Sequence, residues 1–282
     1  MNFNLKLFLI IFVSFLLISC ESDNQTSSLD SIDFDFLSFT QELHAEESYE
    51  KTIEIINNIY SDNSDYFNST FNFRGYDSSI LEIEKSDMME LRTPLDVEEY
   101  SESFFEVIIN TKELPDSVEE VNQNIVIDLV VDIENTFTES FCLIGEDVSR
   151  DDASCEMVSK QTNLGYPIEL DDVRYSLSSS TQTIVMYFKA DNHFSYFDSS
   201  DISFLEFSRS DLSNLPEINY NIESPDIEDE SGSFRLDENG NGRLVFSMNR
   251  SDISESFNSN FNINLDYGIV LSKPYNINVQ NN

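Results

Sequence analysis

The residues able to do chemistry in this chain are mostly carboxylates. It carries 54 acidic against 15 basic residues, for a formal charge of −39. Carboxylate oxygens are hard ligands, so such a chain can hold divalent cations, Ca²⁺ above all, or can stay soluble in a salty medium. The same charge repels nucleic acid and anionic headgroups, and neither is expected as a partner. Asp237, Asn239 and Asn241 alternate oxygens ahead of Gly242, as the first half of a twelve-residue calcium loop does. The twelfth position of that loop needs a bidentate Glu, and here it is Met248 within an apolar run. Residues 234–236 and 243–248 flank the segment as strands, and Asn-Gly steps favour the positive φ of tight hairpins, so a turn is expected instead. His44 and His193 belong to no ligand cluster. The serines sit in no nucleophile elbow, and no Gly-rich phosphate loop is present. Paired carboxylates are too common here to mark a glycosidase, so an enzyme is not expected.

Three cysteines carry more information. Lys6 and the apolar residues 7–18, broken only by Ser14, read as a signal peptide. The run is short of the roughly 20 apolar residues that span a bilayer. It closes on Leu17-Ile18-Ser19-Cys20, which resembles the lipobox of bacterial lipoproteins. The resemblance implies removal of residues 1–19, a diacylglycerol on the Cys20 sulfur and often a further acyl chain on the new amino group. Several chains, at about 0.8 kcal/mol per buried CH₂, hold a protein stably on a membrane of the cell envelope. An ordinary signal peptide with a chance cysteine is the alternative. Residues 20–37, rich in Ser, Asp and Asn, are expected to be a disordered tether. Cys142 and Cys155 then remain as a pair in an exported chain, where a disulfide is expected; two buried free thiols are the alternative.

The elements that must position these groups read mostly as strands. Ile125, Ile127, Leu129, Val131 and Ile133 alternate with a more polar set, and Ile184, Met186, Phe188 and Ala190 do the same. Residues 104–109, 202–207, 243–248 and 269–279 follow suit. Residues 41–60 fit either a helical face or a strand, and strand is preferred. Short strands at regular spacing predict an all-β chain of β-sandwiches.

Residues 39–135 resemble one cadherin repeat through short matches in order: residues 68–77 for a strand and turn, 80–85 for "F-x-I-D", 90–99 for "L-D-x-E", 103–113 for "Y-x-L-x-V-x-A-x-D", and 125–135 for the closing strand and linker. That family is a Greek-key sandwich with calcium at the junction between repeats. The resemblance implies Glu46 or Glu47, Asp96, Glu98 and Asp132 as calcium ligands at that junction, with Asp62 and Glu113 at the opposite end. The linker departs from the pattern, with Glu134 and Asn135 where the family has Asn and Asp, and Ser64 leaves "D-x-D" without its second carboxylate. From residue 137 the chain resembles a bacterial immunoglobulin-like domain, through residues 165–177 and 183–191. The expected organisation is therefore a signal peptide (1–19), a tether (20–37), a cadherin-like sandwich (38–135) and an immunoglobulin-like sandwich (136–282). The expected role is binding or adhesion at the cell envelope, with calcium the implied ion and a protein or glycan as partner. A structural or assembly lipoprotein without metal, or a carbohydrate-binding module, are the competing roles. An exposed aromatic patch on the second sandwich would favour the sugar.

Overall fold

The alternation read at residues 125–133 belongs to a strand far longer than expected. In the computed structural model, which describes residues 32–61, 64–85, 88–96, 99–156, 167–198, 212, 215–226, 228 and 230–281, β8 runs Glu120–Leu143. It pairs antiparallel along its whole length with the final strand, β15 (Phe257–Gln280), from Glu120↔Gln280 to Leu143↔Phe257. At about 3.4 Å per residue the ribbon is roughly 75–80 Å long. Its odd-numbered β8 residues, Ile125 through Leu143, face one continuous core. Pro274, which cannot donate to a ladder, falls between the stretches of β15 that pair with β11 (Ser195–Phe197) and with β2 (Glu42–His44).

Two further sheets stack on that face. Over the first half lies a sheet in the order β1-β3-β7-β5, formed by Ile32–Phe36, Ser48–Asn57, Ser101–Thr111 and Leu81–Lys85. Opposite it, the ribbon is extended by β4 (Tyr66–Arg74) and β6 (Met89–Arg92). This is the two-sheet arrangement of an immunoglobulin-type sandwich, four strands against a sheet that includes the last two strands. The interior is aromatic: Phe71 lies 5.4 Å from Phe34 and 4.8 Å from Phe105 by ring centroid. Over the second half lies β14-β10-β9, that is Asn241–Asn249, Thr181–Ala190 and Ile168–Leu177. It faces the ribbon together with β12 (Glu217–Glu223) and β13 (Glu230–Arg235). Phe141 and Phe261 meet at 4.9 Å, and Phe188 stacks on Phe234 at 4.8 Å. The all-β sandwich class is thus the observed one, and residues 41–60 hold two strands, Glu42–His44 and Ser48–Asn57, and no helix.

The connectivity has a feature that spacing did not reveal. The second sandwich is inserted at the tip of the β8–β15 hairpin, and the end of the chain returns to complete the first. Residues 135 and 136, the expected boundary, lie inside β8, which continues unbroken through them. The expected tether is also corrected at its end. Residues 32–36 form β1, paired to β3 from Ile32↔Asn57 to Phe36↔Ile53. Ile32, Phe34 and Phe36 enter the core while Asp33 and Asp35 stay outside. A perfect period-two pattern was masked by the acidic residues around it. Leu37 follows β1, its N–H bonded to the Thr52 carbonyl at 3.0 Å; residues 20–31 of the tether, and residues 202–207, lie outside the described residues.

At the middle of the ribbon both faces are buried. Phe197 lies over Gly268 on the outer face, with Val130 and Val270 beside it and Leu212 packed against them. A Cβ at Gly268 would fall within the Phe197 ring. Gly268→Ala is therefore expected to cost about 2 kcal/mol, as overpacking does, and to lower the denaturant midpoint without changing the slope. An unchanged midpoint would mean that Phe197 has somewhere else to go. Close by, the buried Asp128 accepts two bonds from Arg74, at 2.7 and 3.1 Å, and one from Ser272 at 2.5 Å.

Candidate functional site

The carboxylates implied as calcium ligands do not form one group. Glu46 and Glu47 sit in the turn from β2 to β3, at the end of the first sandwich where β8 begins and β15 ends. Glu46 takes φ 61°, and Glu47 is tied to Thr111, whose backbone N–H donates to its carbonyl at 2.9 Å. Asp96 lies in the loop after β6, and Asp132 lies opposite Gly268 in β8, both toward the second sandwich. Ten residues of β3, about 30 Å, separate the two ends. The convergence of Glu46 or Glu47 with Asp96 and Asp132 is thus corrected. The physical reason is that Glu46 and Glu47 precede β3 at the end opposite to the one Asp96 occupies. Glu113 shares the end with Glu46 and Glu47, following β7. Glu98 and Asp62 lie outside the described residues, as does Cys20. Among the described residues no three His, Cys, Asp or Glu side chains gather as metal ligands.

Residues 237–241 form a hairpin turn. Leu236 bridges to Gly242, and Gly240 takes φ +77°. Asp237 Oδ1 accepts from the backbone N–H of Asn239 and Asn241 at 2.8 and 2.9 Å. Those bonds, with Asn241 the strongest partner, hold the Asp237 carboxyl below its usual range. The two histidines are exposed and on separate elements, His44 in β2 and His193 before β11, where it lies 2.7 Å from Asp191.

Chemistry gathers at the far tip of the second sandwich. Cys142 in β8 and Cys155 are joined, with α-carbons 5.5 Å apart and a sequence separation of 13. The loop they close is held by a second device. Gln182, fully buried, accepts from the Ile144 N–H at 2.9 Å and donates to the Cys142 carbonyl at 2.7 Å. A third is Arg250, only 5% exposed. Its guanidinium donates to the carbonyls of Ile144, Gly145, Glu146 and Val148 on one side and of Ser178 and Ser179 on the other. The fixed fork of donors suits this spread of acceptors, which a lysine could not cover. Neither Arg250 nor Gln182 was singled out from sequence. The available signal was a lone Arg closing a strand in a chain with few cations.

Beside this loop the sandwich opens. Its two sheets diverge along the edge formed by β13 and β14, joined at one end by the 237–241 turn. The opening is a cleft of about 790 Å³. Its floor includes Phe246, Met248 and Ile253, and its rim carries Asp226, Glu228, Glu230 and Asp252. Asp226 is fixed by the Ser259 hydroxyl at 2.5 Å, and Glu230 accepts from the Tyr220 hydroxyl at 3.3 Å. Burial, and then the charge of Glu230, push the Tyr220 phenol above its usual range. The cleft thus sets an apolar patch of Phe246, Met248 and Ile253 beside polar groups and four carboxylates. By contrast, the exposed aromatics Tyr66, Tyr100 and Phe104 lie on the first sandwich.

The fold and the bridge define an all-β, disulfide-bonded double sandwich, suited to an oxidising, extracytoplasmic compartment. Among the described residues no helix is long and apolar enough to cross a membrane. No protein-family model matches the chain, and no curated protein matches it.

Proposed function

We propose that this is a lipid-anchored, non-enzymatic binding protein of the cell envelope, with its ligand site on the second sandwich. The observation that supports the reading is the open, apolar-floored and acid-rimmed cleft at the tip. An envelope binder needs a pre-formed concave surface held by a rigid scaffold, and apolar clefts with a few placed polar groups are the usual form. The continuous β8–β15 ribbon joins the two sandwiches, a task that calcium performs between cadherin repeats. Cadherin-like and immunoglobulin-like modules, as the sequence resemblances imply, are in keeping with adhesion or capture. The lipid is carried by Cys20 in this reading, through the thioether of the lipobox cysteine.

The anchor is tested by growing expressing cells with a labelled fatty acid. The wild-type chain is expected to carry label and to stay with the membrane fraction. Cys20→Ser is expected to lose all label and to accumulate unprocessed or released. Label persisting in Cys20→Ser would remove the anchor from the account.

A further inference from the structure

The cleft has a second property beyond its shape and charge: one wall is the edge of a sheet. β14 pairs with β10 on one side, from Asn249↔Thr181 to Asn241↔Lys189, without a register break. The neighbouring bonds fix the phase of that ladder. Ala190 N–H donates to the Gly240 carbonyl at 2.8 Å, and Arg250 N–H donates to the Ser180 carbonyl at 2.9 Å. Hydrogen-bonded pairs alternate along an antiparallel ladder, so the even-numbered residues 240–250 spend their backbone groups on β10. Val245, Ser247 and Asn249 therefore turn their N–H and C=O groups outward. Beyond the single bridge at Gly242, no described strand pairs with that edge. Four consecutive residues of the edge, Phe246 to Asn249, line the cleft.

We infer that the cleft binds an extended, positively charged peptide segment that adds to β14 as a further antiparallel or parallel strand. This rests on the binding reading above and names its partner class. Strand addition satisfies the outward N–H and C=O groups, which gives affinity without sequence demands. Alternate side chains of the guest then point in two directions. One set enters the cleft over Phe246, Met248 and Ile253, which suits aliphatic residues. The other set meets solvent beside the exposed Val245. Lys or Arg at the ends and along the mouth would face Asp226, Glu228, Glu230 and Asp252, and a guest of the same negative charge as this chain would be repelled. The long aliphatic stems of Lys and Arg can also cover the apolar floor while their heads reach the carboxylates. An edge of this length left open would invite unselective pairing, and the acidic rim restricts it to cationic strands.

The test uses the full chain in detergent and a short synthetic peptide of alternating Lys and Val. Titration calorimetry is expected to show saturable binding that weakens as salt rises, since the charges meet at an exposed mouth. Hydrogen exchange on the complex is expected to slow at the amides of Val245, Ser247 and Asn249. A peptide of alternating Glu and Val is expected not to bind. Glu230→Gln with Asp252→Asn is expected to weaken binding by about ten-fold or more. Ser247→Pro removes an outward N–H that β10 does not use, and should weaken binding to a similar degree with only a small fall in the melting transition from the lost exposed Ser247–Thr183 hydroxyl bond. The same Lys-Val peptide N-methylated at alternate residues leaves the protein untouched and should fail to bind. Binding that survives N-methylation, or that protects amides away from residues 245–249, would overturn strand addition. So would absence of binding by the Lys-Val peptide to the folded chain. Neither result bears on fatty-acid labelling at Cys20, so loss of this inference and loss of the anchored reading are separable.

Discussion

Arg250→Ala is expected to destabilise the protein by roughly 3–5 kcal/mol, because it strips six buried or half-buried carbonyls of their donor at once. The guanidinium has no carboxylate partner among those contacts. Its charge is met by the negative ends of peptide dipoles from two separate loops. Removing it leaves those carbonyls facing one another without water or a proton between them. Besides the side chain, Gln182 and two backbone bonds of residue 250 itself, from the Glu146 N–H and to the Ser180 carbonyl, hold these loops. Arg250→Lys should recover only part of the loss, since an ammonium reaches one side of the cage and not both. Chemical denaturation reads the size of the effect. Hydrogen exchange reads its place, with early loss of protection expected at Ile144 and at Arg250 itself. A change under about 1 kcal/mol would mean that water enters the cage and replaces the side chain.

The second large effect is loss of the bridge. Cys142→Ser with Cys155→Ser is expected to cost about 3 kcal/mol, the loop-closure estimate for a span of this size. The bridge and Arg250 hold the same loop, one at Cys142 and the other at Ile144 to Val148. Their losses should therefore add to less than the sum, because once the loop is released by one change the other has less left to break. A double variant measured beside both single ones checks this. Strict additivity would show that the two devices act on independent regions. Exposure to a reductant should act in the same direction as the cysteine substitutions, with no effect on the first sandwich's exchange pattern.

Much of the fold could be read from alternation alone, because strands with one wet face write their burial into every second residue. β8, β10 and β14 are legible for that reason. β1 was not, since Ile32, Phe34 and Phe36 are embedded in a Ser- and Asp-rich stretch whose composition argues for disorder. The register of β8 against β15 was also hidden. Both strands are long, and pairing between residues more than a hundred positions apart leaves no local mark. The insertion of one sandwich into a hairpin of the other follows from that pairing and was equally out of reach. The candidate site fared differently. The cysteine pair was legible by count and compartment. The cadherin resemblance named carboxylates, but their order along the chain said nothing of which end of β3 each would occupy. The cleft left no signature, because in a chain this acidic its four rim carboxylates look like any other four. The open edge of β14 is a matter of which strand has a described partner on one side alone, and that is decided by the whole topology.

The central claim is that the tip of the second sandwich, and not the first, is where this protein meets its partner. Site-specific photocrosslinking in intact cells tests it most directly. A photoreactive amino acid is placed at position 245, beside the open edge of β14, and in a second strain at position 104, among the exposed aromatics of the first sandwich. A discrete covalent adduct from position 245, diminished by Glu230→Gln with Asp252→Asn and absent from position 104, is the predicted result. An adduct from position 104 with none from position 245 would contradict the account and move the binding surface to the first sandwich.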